Sequence, residues 1–105
     1  MVTAEDMAKH VIMASQAMGR PLDNLTLQNV LRELQDGGFL SEGLRFQERP
    51  QEWGRWRVYP QVYRAYSAYG GGPITMSVVD PLATAVGDDD ERAIRAVISR
   101  WERLP

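Results

Sequence analysis

The chain has 105 residues, a formal net charge of −2 and an isoelectric point of about 5.3. This length favours one domain with a single modest core, and a hydrophobic fraction of 44% with three tryptophans excludes a disordered segment. The slightly acidic balance offers no general attraction for nucleic acid or for an anionic membrane. Cysteine is absent, which excludes disulfides and thiolate metal sites and fits a reducing compartment.

The N-terminus and the hydropathy pattern bear on where the protein resides. The first residues include Glu5, Asp6 and Lys9 and lack an unbroken apolar run, so we predict no secretory signal. No window approaches about 18 consecutive apolar residues, so we predict no membrane-spanning helix. The sequence is therefore typical of a soluble cytoplasmic protein.

The first predicted element is an amphipathic helix that begins after Thr3. Apolar residues recur at three-to-four spacing as far as Met18, and Gly19 follows where a C-terminal cap belongs. His10 lies off the centre of the apolar face. It has no second histidine or cysteine to complete a metal site, so we interpret it as an ordinary surface or boundary residue.

A second amphipathic helix is predicted after a short connector. Asp23 or Asn24 can cap it, its apolar residues follow the helical spacing, and Gly37-Gly38 ends it. Gln28 falls near the edge of its apolar face. That position suits either a hydrogen-bonded boundary amide or a group in an interface.

The middle of the chain breaks the helical pattern. Residues 43–58 contain Gly43, Pro50 and Gly54, and polar residues alternate there with large apolar ones. We interpret this region as a short hairpin or extended pair that turns across residues 49–51.

The stretch 53–74, WGRWRVYPQVYRAYSAYGGGPI, holds two of the three tryptophans and all four tyrosines. Pro60 suits the first turn of a helix, and tyrosines follow at a spacing of three. The glycines 70–72 and Pro73 then end it. The pattern predicts an aromatic helix of about three turns that packs and also contacts a partner.

The C-terminal third is predicted to end in another helix. Residues 74–79 favour either a strand or an apolar connector, and Asp80-Pro81 suits the start of one or two helical turns. The acidic run 88–91 lacks the spacing of a calcium loop and favours a helix N-terminus. The last helix carries Ile94, Ile98 and Trp101 on one face.

Features of a catalytic site are missing from the sequence. There is a single histidine, no GxSxG motif, and the glycine run 70–72 lacks the lysine and spacing of a phosphate loop. We therefore predict no enzymatic activity, no cofactor and no metal.

Two non-catalytic functions remain. A winged-helix DNA-binding domain would have a helix and a hairpin in this order, but its recognition helix would carry only Arg32 against Glu33 and Asp36. A protein-binding module would use aromatic and arginine side chains as anchors.

Two stretches, NLTLQNVLRELQDGGFL and FQERPQEWGRWRVYPQVYRAYSAYGGGPI, resemble motifs of the Panacea domain family (DUF4065) in order and spacing. The resemblance covers roughly residues 4 to 100 and is most specific between residues 22 and 74. The matching residues are Asn24, Leu25, Leu27, Gln28, Leu31, Phe46, Trp53, Val58, Pro60, Val62, Tyr63, Tyr69, Gly70, Pro73 and Ile74.

This chain departs from the family pattern in three places. Trp56-Arg57 stands where the family usually has Gly-Pro, and the segment 30–33 lacks the family's aromatic pair. The C-terminal region of longer members is missing after Trp101. The resemblance therefore indicates one short Panacea-like domain over residues 1–105.

The resemblance implies a bacterial, phage or prophage protein that is not an enzyme. Many family members resemble antitoxins that bind and neutralise a toxin encoded beside them, with a chaperone-like role proposed. One relative acts as an adaptor that delivers its toxin to an ATP-dependent protease. For this chain we predict a protein partner, which is a nearby toxin or a host protein. A phage-encoded inhibitor of a host protein and a homodimer would use the same surface.

The expected fold is mainly α-helical, with four to five helices in a compact bundle and a short β element around residues 43–58. The residues predicted to form the core are Leu27, Leu31, Phe46, Tyr63, Ile94 and Ile98. The residues predicted to contact a partner are Gln28, Trp53, Trp56, Arg57, Tyr59, Arg64 and Tyr66. For Trp53, a purely structural place in the core is an equal alternative.

Overall fold

The computed structural model describes residues 2–78, 82 and 86–102, and helices dominate this part of the chain. Its α-helices are α1 (Ala4–Ala17), α2 (Asn24–Asp36), α3 (Pro60–Ala65) and α4 (Asp88–Glu102). Strands β1 (Gln51–Trp53) and β2 (Trp56–Val58) form an antiparallel hairpin, and 3₁₀ turns span Glu42–Leu44 and Ser67–Tyr69. The predicted mainly α-helical bundle with a short hairpin is confirmed. No helix within the described ranges is long and apolar enough to cross a membrane.

The first two helices begin where the sequence predicts. The hydroxyl of Thr3 accepts a hydrogen bond from the Asp6 backbone N–H at 3.0 Å, and the carboxylate of Asp23 accepts one from the Thr26 N–H at 2.7 Å. Each cap satisfies a backbone donor that has no partner inside the helix. Gly19, with a φ of 72°, follows the C-terminal cap of α1.

The core lies between α1, α2 and α4 and extends to the hairpin and α3. Apolar faces of the three long helices are buried against one another, as their 3.6-residue periodicity requires. Five of the six predicted core residues are buried, namely Leu27, Leu31, Phe46, Ile94 and Ile98. The sixth prediction is wrong, because Tyr63 is only half-buried and packs its ring against Trp53.

The interpretation of His10 as a surface or boundary residue is also wrong. Its side chain is buried, and its Nε2 lies 2.8 Å from Oε2 of Glu91 in α4. A polar ring is tolerated inside a protein when it is hydrogen-bonded. The first turn of α4 supplies this carboxylate, so His10 joins the two helices that lie furthest apart in the sequence.

The hairpin turns later than predicted. The turn predicted across residues 49–51 is wrong, because Gln51 already belongs to β1 and pairs with Val58. The chain reverses at Gly54-Arg55, where Gly54 has a φ of 63°. A side chain strains this left-handed conformation, so glycine at this position determines the register of the hairpin.

Replacing Gly54 by alanine is expected to lower the free energy of unfolding by about 1 kcal/mol, because Cβ disfavours the left-handed φ. There is open space around Gly54, so the cost is conformational and not a clash. Gly43→Ala is the matched control, since Gly43 also has open space but no positive φ. Urea denaturation measures both, and equal losses would contradict the assignment of the turn.

The aromatic helix is shorter than the three turns predicted. Pro60 occupies its first turn as expected, but α3 ends at Ala65 and a 3₁₀ turn follows. The Ser67 hydroxyl donates to the carbonyl of Arg64 at 3.0 Å, a local bond that competes with the helical ladder. Tyr66 leaves the helix with a φ of −116° and turns into the core.

The chain after Gly72 runs as an apolar connector as far as Val78. The side-chain amide of Gln16 bonds both backbone groups of Met76, at 2.7 and 3.0 Å, and the Ile74 N–H donates to the carbonyl of Leu22 at 2.8 Å. These bonds satisfy the backbone without a strand partner. Val79 and the turns predicted after Asp80-Pro81 lie outside the described residues, apart from Leu82 and Val86.

The acidic run 88–91 forms the first turn of α4, as the sequence predicts. Asp90 accepts hydrogen bonds from the backbone N–H and the hydroxyl of Ser41, both at 2.8 Å. At the other end of the helix, Trp101 Nε1 donates to Glu33 at 3.0 Å, and Arg100 forms an ion pair with the same carboxylate. These contacts fasten α4 to α2 and to the segment between α2 and the hairpin.

Candidate interaction surface

A buried network of amides holds the hairpin and α3 against α2. The side-chain oxygen of Gln28 accepts from the Tyr59 N–H at 2.7 Å, and its Nε2 donates to Asn24 Oδ1 at 3.1 Å. Asn24 Nδ2 in turn donates to the carbonyl of Tyr63 at 2.9 Å. Gln28 is only 1% exposed, so the prediction that it contacts a partner is wrong. The alternative of a hydrogen-bonded amide is what the structure shows.

Tyr59 and Tyr66 were also predicted to contact a partner, and both predictions are wrong. They are 2% and 3% exposed, and Tyr59 packs edge-on against Phe46 with ring centroids 5.5 Å apart. Tyr59, Val62 and Tyr66 share the spacing of one helical face, and that face meets the core. The spacing of Tyr59, Val62 and Tyr66 therefore identifies the buried face better than the tyrosine repeat at 63, 66 and 69 does.

Burial affects both the pKa and the hydrogen bonding of the Tyr59 hydroxyl. Desolvation, with a smaller effect from the charge of Asp36, raises the pKa of Tyr59 to about 12. Burial likewise raises the pKa of Tyr66. Both phenols are therefore neutral donors at physiological pH. The Tyr59 hydroxyl has no hydrogen-bond partner among the described residues, which costs stability.

The register of the hairpin divides its side chains between two faces. Trp53 lies opposite Trp56, on the face shared with the buried Val58, whereas Glu52 lies opposite Arg57 on the other face. Arg57 is therefore not on the same face as the two tryptophans. The side chains of Trp56 and Arg57 therefore lie on opposite faces of the hairpin.

Trp53 joins the hairpin to α3. Its ring packs edge-on against Tyr63 with centroids 5.5 Å apart, and the guanidinium of Arg64 lies 5.4 Å from its centroid. Such contacts contribute up to about 1 kcal/mol each at a partly exposed site. Trp53 is half-buried, so it contributes to the fold and still reaches the surface.

Trp56 is the large aromatic residue that the hairpin exposes. It is 49% exposed and sits beside the turn that Gly54 determines. Of the seven predicted contact residues, four reach the surface: Trp53, Trp56, Arg57 and Arg64. The structure brings Trp53 and Arg64 into contact and places Trp56 across the strand pair from Trp53.

Four arginines lie in the hairpin, just before it and in α3. Within the described ranges, no ion pair is formed by Arg49, Arg55, Arg57 or Arg64. By contrast, three arginines of α4, namely Arg92, Arg95 and Arg100, all contact carboxylates. Segment 49–64 carries four arginines and one glutamate, a formal +3, so the rest of the chain carries −5 of the total of −2. The sequence contains this local excess of positive charge, but the net charge of −2 for the whole chain does not reveal it.

Two cavities flank the chain just before the hairpin. One of about 380 Å³ lies between this segment, the start of α1 and α3, and one of about 820 Å³ lies on the side of α2. Both are lined by Glu48, Arg49 and Tyr59. Among the residues that the structure describes, no three histidine or carboxylate side chains are grouped to hold a metal ion.

Comparisons of the chain with models of protein families, with curated proteins and with solved structures found no match. The resemblance to Panacea domains therefore stays a prediction from the residues that carry it.

Proposed function

We propose that this chain is a protein-binding module of the antitoxin type, which neutralises a toxin encoded nearby by binding it directly. The observation that carries the proposal is Trp56, a large aromatic side chain that is 49% exposed beside the turn of the hairpin. Tryptophan and arginine are among the residue types most enriched at the positions that dominate binding energy in protein interfaces. The proposed function involves no reaction and no cofactor.

The residues shared with Panacea domains and the residues that depart from the family pattern lie in different environments. The shared Leu27, Gln28 and Phe46 are buried in the core, where a common fold would need them. Trp56 and Arg57, which replace the family's Gly-Pro, are exposed. We therefore propose that the shared residues build the domain and that this departure recognises a partner specific to this chain.

The test starts from the genes on either side of this one. A neighbouring small open reading frame should arrest growth when expressed alone, and co-expression of this protein should restore growth. The two proteins should also co-purify. If no neighbouring product is toxic, and none co-purifies at micromolar concentration, the antitoxin proposal fails.

Trp56→Ala should weaken the purified complex by about 2 kcal/mol or more, which is roughly a 30-fold increase in Kd. Phe39→Ala is the matched control, since Phe39 is a similarly exposed aromatic residue, 44% against 49%, that lies instead against Arg100. Calorimetric titration measures both variants. Equal effects would show that exposed aromatic area alone, and not this hairpin, determines binding.

An inhibitor of a host protein would use the same surface, and the partner that co-purifies distinguishes it from an antitoxin. Chaperone-like action and delivery to a protease also begin with the same complex. The lifetime of the partner in cells that contain this protein separates these outcomes, since delivery shortens it and inhibition by binding does not.

A further inference from the structure

We propose that segment 49–64 binds an acidic stretch of the protein partner, with one carboxylate binding at Arg49 and Tyr59, the two residues that line both cavities. This inference rests on the proposed function and names the chemistry of the partner. It is carried by two separate observations: a cluster of arginines without counterions and a buried donor without an acceptor.

The first observation is the charge of the segment. The four arginines of segment 49–64 lack an ion pair within the described part of the chain, although the rest of the molecule is acidic. Guanidinium groups bind carboxylates through two parallel hydrogen bonds. The carboxylates of an acidic stretch would form ion pairs with these arginines.

The size of the charged region favours a protein over a nucleic acid. A nucleic acid is a long polyanion, and the −5 carried outside this segment would repel it beyond the basic patch. A short acidic stretch contacts the patch alone. The tryptophans beside the patch would bury apolar neighbours of its carboxylates.

The second observation is the hydroxyl of Tyr59. It is buried without a hydrogen-bond partner, and its residue lines both cavities together with Arg49. A buried donor without an acceptor costs stability, so a ligand that supplies an oxygen there recovers that cost on binding. The segment from Gln47 to Pro50 borders the second cavity. Because the Tyr59 hydroxyl is buried, a carboxylate that reaches it has to displace part of this segment.

The acidic groups already present leave room for a further carboxylate. Glu5 and Glu48 line the smaller cavity, where Arg49 and Arg64 oppose them. Glu48 Oε2 accepts a hydrogen bond from the Ala4 N–H at 3.0 Å, so the N-terminus of α1 already balances part of its charge. Asp36 and Arg57 line the larger cavity, so the two cavities together hold three carboxylates and three arginines. No ion pair joins any of these six side chains within the described part of the chain, so the guanidinium N–H groups can still bind a further carboxylate.

The probe is a short blocked peptide of alternating glutamate and leucine, titrated into the protein while tryptophan fluorescence is followed. The counterpart with glutamine in place of glutamate is the control peptide. We expect binding at least tenfold tighter for the glutamate peptide, weakening as salt rises. Equal affinity for both peptides, or tighter binding of single-stranded DNA of similar length, would overturn the inference.

Two variants test where the carboxylate binds. Arg49→Glu should weaken binding of the glutamate peptide at least tenfold, whereas Arg92→Glu makes the same charge change on exposed α4 and should leave it within twofold. Tyr59→Phe should weaken binding about threefold or more while the protein stays folded, because only the unpaired hydroxyl is removed. Unchanged peptide affinity in both Arg49→Glu and Tyr59→Phe would refute the site.

The peptide titration and the partner assay can fail separately. If the partner of the proposed complex is lost with Trp56→Ala but retained by Arg49→Glu and Tyr59→Phe, the binding function stands and this inference is wrong. If no neighbouring product binds, the proposed function fails, while the preference for the glutamate peptide still decides whether the basic segment binds carboxylates.

Discussion

Replacing Phe46 by alanine is expected to lower the free energy of unfolding by about 3–5 kcal/mol. The ring is 1% exposed and packs edge-on against Tyr59, so its removal leaves a cavity between α2 and the hairpin. A domain of this size has a total stability of about 5–15 kcal/mol. The substitution therefore removes a large part of it.

Phe39→Ala is the natural control, because Phe39 and Phe46 are the two phenylalanines of the chain. Phe39 is 44% exposed, and its replacement should cost less than about 1 kcal/mol. Thermal and urea denaturation followed by circular dichroism compare the two variants. Similar losses would contradict the placement of Phe46 in the core.

Gln28→Ala is expected to destabilise the protein by about 2–3 kcal/mol, although alanine favours helix more than glutamine does. The substitution leaves the Tyr59 N–H, which is buried, without an acceptor and removes a donor from Asn24 Oδ1. An unpaired buried polar group costs more than a hydrogen bond contributes. The effect should therefore exceed that of an exposed amide by several fold.

Gln47→Ala supplies the comparison, since Gln47 is exposed and outside the amide network. It should change stability by less than about 0.5 kcal/mol. A double mutant of Gln28 and Asn24 tests the network itself, because coupled groups give losses that do not add. Additive losses would show that the two amides act independently.

The amide network also bears on function. Gln28 fixes the backbone at Tyr59, the residue that leads from β2 into α3. The hairpin with Trp56 precedes this point, and Arg64 in α3 follows it. Buried residues can therefore determine how the proposed binding surface is presented.

The helices were predictable because their signals are local. Caps at Thr3 and Asp23, the 3.6-residue spacing of apolar residues and the acidic start of α4 are read within a few turns of chain. The hairpin was placed in the right region but given the wrong turn. Pro50 is a strong turn former, yet Gly54 has the positive φ that the reversal requires.

Local patterns identified residue types that suit a binding surface, but not which of them reach the surface. Trp56, Arg57 and Arg64 were found from composition and remain exposed. Tyr59, Tyr66 and Gln28 were included for the same reason and are buried. A tyrosine and a glutamine suit both environments, and only the packing of α2 on the hairpin and α3 decides between them.

The sequence by itself determined a mainly α-helical domain with a short hairpin, because periodicity, caps and glycine positions act over a few residues. The tertiary structure alone decided the pairing of His10 with Glu91 and the amide network around Gln28. It also decided that the four arginines of segment 49–64 form no ion pair with another described residue. These depend on contacts between residues far apart in the chain. Spacing along a single element carries no information about them.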